Sequence, residues 1–160
     1  MGNLLRISTL VLVGGAPFVS SLAAWSANGG PGVAPGRDLG KVHFATSCSP
    51  AVQAQVDETM VLLYAFWAKD SIAGFRQVLQ QDPQCAIAYW GVAMAYQGNP
   101  LTAQEPTPEA TREALRALDT AKRIGAKTQR ERDYIAAVDL IYRDAGKADF
   151  STRRRATKRR

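Results

Sequence analysis

Three residues of this 160-residue chain could do chemistry together: His43, Cys48 and Cys85. An imidazole with two thiolates suits a soft or borderline metal ion. These are also the chain's whole stock of such ligands, since it holds one histidine and two cysteines. A structural zinc site takes four protein ligands, so the set falls short. Pairing Cys48 with Cys85 as a disulfide would consume both thiols. The remaining option is two separate thiols, with Cys85 partly buried. Nucleophilic catalysis has less support. Serines and acids are scattered, and nothing orders them as a nucleophile, a base and an orienting group. The expectation is no catalytic residue, no cofactor and no metal, with His43 hydrogen-bonded in an arm.

Which option is available depends on where the chain goes and what scaffold holds the three residues. Residues 1–27 read as an export segment. Arg6 is its one charge, Ile7 to Val13 is largely apolar, and Ser21-Leu22-Ala23 offers a small-x-small cleavage site. The alternative is an uncleaved membrane anchor over residues 4–22, weakened by glycines and a proline. Exported chains meet an oxidising compartment, which favours the disulfide. Residues 28–48 are a Gly/Pro-rich linker followed by an extended arm, in which Val42 and Phe44 alternate with polar neighbours.

Charge excludes one broad class of partner. The formal net charge is +6, from 20 Lys/Arg against 14 Asp/Glu. Six of the basic residues lie in the tail Arg153-Arg154-Arg155-Ala156-Thr157-Lys158-Arg159-Arg160, leaving 14 against 14 elsewhere. A basic tail on a neutral body is no specific nucleic-acid face. Residues 147–160 lack apolar periodicity and are expected to be disordered. Contact with a membrane is expected only through an uncleaved N-terminal segment.

Between these flanks the periodicity is helical, and about five helices are expected over residues 49–146. Ser49-Pro50 starts the first, whose apolar positions Val52, Val56, Met60, Leu63 and Trp67 are spaced by three or four. Asp70 caps the second, with Ile72, Phe75, Val78 and Leu79 on one face. Asp82-Pro83 starts the third, which carries Tyr89, Val92, Ala93 and Tyr96; its small residues, Gly91 among them, allow close approach of a neighbour. Thr107-Pro108-Glu109 opens the fourth, with Leu118 and Ala121 inward, and Gly125 stops it. Thr128 and Glu131 form a capping box that opens the fifth.

This pattern resembles the tetratricopeptide repeat family. The resemblance rests on packing positions: Phe75, Val78 and Pro83 closing one unit, Tyr89, Val92, Ala93 and Tyr96 opening the next, then Leu118 and Ala121. It covers roughly residues 50–145, with the loop at 99–107 as an insertion. The segment from Lys41 to Trp90 also looks like the opening of exported bacterial tetratricopeptide proteins of unassigned function. The resemblance implies an all-α fold of antiparallel helical hairpins stacked as a short right-handed solenoid. About two and a half units is near the minimum for such an array.

In a stacked array Cys48 and Cys85 would lie at the same end, so a disulfide is expected, worth roughly 3–4 kcal/mol in the chain-entropy model. Family members bind peptides on the concave surface, which implies a groove presenting Val56, Met60, Leu63, Ile87, Trp90 and Met94. That groove could take a protein or peptide partner, or the chain's own arm at 42–47. The functional expectation is an exported, non-catalytic interaction scaffold. The alternatives are a truncated remnant of a longer repeat protein and, behind it, a metal or redox protein using His43, Cys48 and Cys85.

Overall fold

The computed structural model describes residues 39–99, 101–102 and 104–157. The expected export segment, most of the linker and the last three basic residues lie outside them. Within them the fold is all-α, with six α-helices and no strand. No helix among the described residues is long and apolar enough to cross a membrane.

The Ser49-Pro50 start holds. Ser49 Oγ accepts from the Ala51 amide and Pro50–Val52 form a 3-10 turn that runs into α1, Gln53–Tyr64. Trp67 does not continue the α1 face as its spacing suggested. Phe66 has φ 60° and the Trp67 amide reaches back to Leu62 O at 3.0 Å, so the chain turns there. Trp67 instead caps α2, Ala68–Gln81, and Asp70 lies inside its first turn.

Helix α3 spans Ala86–Tyr96, starting later than Asp82-Pro83 suggested. Asp82 is drawn elsewhere: its carboxylate accepts from the Gln84 amide at 3.1 Å and from the Ser49 amide at 2.7 Å. It therefore caps a turn and ties it to the start of α1. Pro83 sits exposed in that turn and is not a packing residue. The other starts match their signals. Thr107 caps α4, Pro108–Ile124, and Gly125 stops it with φ +79°. Thr128 and Glu131 complete the capping box of α5, Gln129–Arg143.

Each helix packs mainly on its neighbours in sequence, and α3 also touches α1 and α5. The core runs through these contacts: Phe75 and Val78 from α2, Val92 and Ala93 from α3, Leu118 and Ala121 from α4 are all buried. Tyr89 and Tyr96 are half-buried against it. Gly91 is where α2 meets α3. A Cβ there would lie 2.4 Å from Phe75 Cζ, so the ring occupies the space a side chain would need. Tyr142 of α5 is buried and donates to Ala93 O at 2.7 Å, pinning the third and fifth helices together. Burial pushes its phenol well above the usual range.

The tail departs from expectation. Phe150–Thr157 form a sixth helix, α6, packed on α5. Three features order it. The Asp149 carboxylate accepts from the Thr152 amide at 2.9 Å and from the Ser151 and Thr152 hydroxyls. Phe150 is buried beneath the guanidinium groups of Arg153 and Arg154. Arg153 is itself buried, donating to Ala148 O and Ile141 O and pairing with Glu105. Basic residues hid a helix whose anchor is one phenyl ring and one buried guanidinium.

Candidate functional site

Cys48 and Cys85 are joined in a disulfide, with S–S 2.03 Å and Cα–Cα 4.8 Å. The bond fastens the end of the arm to the first residues of α3. Among the described residues, Asp82 is the only other potential ligand close by. His43 is not in that group; its Nδ1 lies 2.9 Å from Asp57. With both sulfurs joined, the grouping of His43, Cys48 and Cys85 offers no thiolate to a metal.

Upstream of the bond the arm crosses α1, α3 and α5, and side chains of α1 and α5 read its backbone. The Phe44 amide donates to Asp57 at 2.9 Å and its carbonyl accepts from Gln53 at 2.8 Å. Arg130 donates to Ala45 O, and the Thr46 amide donates to Gln53 at 3.1 Å. The Ser47 amide and hydroxyl both donate to Glu131, and Lys127 donates to Ser47 O at 3.1 Å. From Phe44 to Ser47 most backbone polar groups are thus held by side chains, as an extended peptide would be. Burial opposes ionisation of Glu131. The Ser47 and Thr128 hydrogen bonds outweigh it and hold the carboxyl below the ordinary glutamate range. Asp57 behaves likewise through His43, the Phe44 amide and Gln53. Both carboxylates therefore stay charged in neutral solution and committed to the arm.

The Phe44 ring forms a stack with Trp90 of α3 and Tyr134 of α5. Its centroid lies 5.7 Å from Trp90, at an interplanar angle of 2°, and 5.9 Å from Tyr134. Arg130 covers it, with Cζ 5.3 Å from the centroid. Trp90 Nε1 is enclosed with no hydrogen-bond partner among the described residues.

Beside this stack lies an open pocket of about 460 Å³. Leu63, Tyr64 and Phe66 line it from the end of α1, and Trp90, Met94 and Gln97 from α3. Tyr134, Val138 and Ile141 of α5 form a further wall, and Arg154 and Thr157 of α6 close one side. Tyr64, Phe66 and Tyr134 are 58%, 44% and 38% exposed, and they are three of the four large hydrophobics exposed among the described residues. An exposed apolar patch of this kind marks an interaction surface more often than a random one does.

The expected groove is half corrected. Leu63, Trp90 and Met94 do line the pocket. Val56, Met60 and Ile87 do not: each is at most 2% exposed and belongs to the core. Spacing by three and four identifies the apolar face of a helix, but not which part of that face a neighbouring helix covers. Periodicity missed Phe44 as the capping ring, Glu131 as the arm's acceptor, and α6 as a wall. The sequence did carry a signal for Glu131, since its capping box was visible.

Comparison with protein-family models, with curated proteins and with solved structures finds no match. The site's own geometry therefore carries the functional argument.

Proposed function

We propose that this chain is an exported, non-catalytic helical-repeat module that binds a protein or peptide segment in the pocket beside Phe44. The observation that carries this is the gathering of Tyr64, Phe66 and Tyr134 around one apolar pocket on an all-helical frame. Exposed aromatic side chains are costly in water unless something covers them. Two further facts support a stacked-hairpin solenoid like that of tetratricopeptide proteins. Helices pack in sequence order, and α3 reaches α1 and α5, as the first helices of successive hairpins would. The disulfide is compatible with an oxidising, exported setting. The non-catalytic reading draws on the fate of the acids: Asp57 and Glu131 are held by the arm, and Asp139 by Lys122 and Arg143.

The test is selection of binding peptides from a random display library against the full chain. Selected peptides are expected to lose binding to Met94→Arg and Leu63→Asp variants, each shown folded by its circular dichroism melt. Peptides that bind both variants as well as the parent would remove the pocket from the proposal.

A further inference from the structure

We propose that the pocket holds the side chain of Trp25, from this same chain, until a partner segment displaces it. This rests on the pocket being a binding site, as read above. It goes further by naming the resident occupant and the chemistry that a displacing segment must match.

The chemistry is that of an indole. Tyr64, Phe66, Trp90 and Tyr134 line the pocket, and Met94 adds a thioether. Rings and sulfur of this kind pack favourably against a further aromatic ring. Gln97, just past the end of α3, lines the same pocket. It is 9% exposed, and its side-chain amide has no hydrogen-bond partner among the described residues. A buried amide left unpaired is costly, so an occupant that reaches it with a polar group gains binding energy. An indole meets both conditions. It is a large apolar ring with one N–H donor at its edge, which the Gln97 side-chain oxygen can accept.

The chain carries that group within reach. The structure is described from Leu39, and the arm that begins there brings Phe44 to the pocket wall. The sequence before Leu39 is therefore tethered beside the opening. From Ala24 to Asp38 the one aromatic residue is Trp25, and the largest other apolar residue is Val33. Glycine, proline and polar residues make up most of the rest, so this stretch has too little apolar surface to bury an indole against itself. Cleavage after Ala23 would leave Trp25 attached. Trp25 precedes Phe44 by 19 residues. A chain of that length and composition has a mean reach of about 22–26 Å, and about 65 Å at full stretch. The pocket beside Phe44 lies inside those limits, which puts the indole at an effective concentration on the order of millimolar. At about 460 Å³ the pocket has room for it.

The full chain is produced with fluorotryptophan, and the fluorine NMR signal of Trp25 is assigned by its loss in Trp25→Ala. Its burial is read from the solvent isotope shift between light and heavy water, with free fluorotryptophan as the fully exposed reference. In the parent protein the shift should be less than about half the free value. In Met94→Arg, shown folded by its circular dichroism melt, it should return to the free value. Gln97→Met keeps the length and removes the amide, and should raise the shift part of the way. The second probe is N-acetyltryptophanamide. It should bind Trp25→Ala, lose that binding when Met94→Arg is added, and bind the parent at least about threefold more weakly. A parent Trp25 at the free value, with the probe binding parent and Trp25→Ala alike through Met94, overturns the inference. The pocket then stands as a site for a partner's tryptophan. A protected Trp25 indifferent to Met94→Arg is seated elsewhere and overturns it too. Protection unchanged in Gln97→Met overturns the pairing with the amide and with it the choice of an indole. Protection that falls on dilution gives the pocket to Trp25 of a second copy, against the proposal. A free Trp25, with no binding of the probe to either protein, removes the pocket reading and this inference together.

Discussion

Ser47 and Glu131 lie 84 residues apart in the chain, and the Glu131 carboxylate accepts both the amide and the hydroxyl of Ser47. The same carboxylate closes the capping box of α5 through Thr128. One buried acid thus starts a helix and fastens the arm across it.

That double role makes the arm acid-sensitive. Glu131 and Asp57 both titrate below their ordinary values in the folded protein. A depressed carboxyl stabilises the fold above its unfolded pKa, and the contribution is lost as pH falls through the folded value. Stability should therefore decline as pH drops below the ordinary carboxylate range, and the Ser47 amide should lose hydrogen-exchange protection before the core does. Glu131→Gln keeps the shape and removes the charge. It should cost about 1.5–3 kcal/mol at neutral pH and flatten the acid limb of a pH–stability curve. An acid limb unchanged in Glu131→Gln would assign the sensitivity to other groups.

Reduction should loosen the same region. The bond closes a loop of 37 residues and joins the arm to the start of α3. Cys48→Ser with Cys85→Ser should lower stability by about 3–4 kcal/mol in denaturant titration. Intact mass under non-reducing conditions should show both thiols absent in the parent protein. A double variant as stable as the parent would mean that the noncovalent contacts of the arm suffice.

Gly91→Ala tests the tightest helix contact. The added carbon would fall 2.4 Å from Phe75 Cζ, and Phe75 is 1% exposed. Overpacking of this kind costs about 1–3 kcal/mol, against the small gain in helix propensity that alanine brings at an unobstructed site. A stabilised Gly91→Ala protein would show that α2 and α3 can separate freely.

Phe66→Gly separates binding from stability. Phe66 holds φ 60°, a conformation that costs a non-glycine residue roughly 1–2 kcal/mol, and its ring is 44% exposed at the pocket rim. Glycine removes the strain and the rim ring together. The melting temperature should hold or rise while affinity for pocket-binding peptides falls. A large loss of stability would show that the ring's packing outweighs the backbone strain.

Helix starts were legible where the capping residue had one job. Thr107 and Thr128 cap the helices they precede in sequence. Asp82 failed as a helix signal because the Ser49 amide, remote in sequence, competes for its carboxylate. The identity of the core was legible through Phe75, Ala93 and Leu118. The pocket was legible only in part: Leu63 and Val56 look alike in the α1 pattern, yet one lines the opening and the other is sealed. The tail helix was obscured because Arg153 is buried against Ile141 and Glu105, 12 and 48 residues away, and local composition cannot show those.

The docked arm also sets the terms of competition for any visitor. Because the bond at Cys48 holds it within a few residues of its seat, its effective concentration there is on the order of millimolar or more. An incoming chain that needed the same backbone contacts would have to outbid a resident that never diffuses away. Selectivity in this protein is thereby shifted from main chain to side chain.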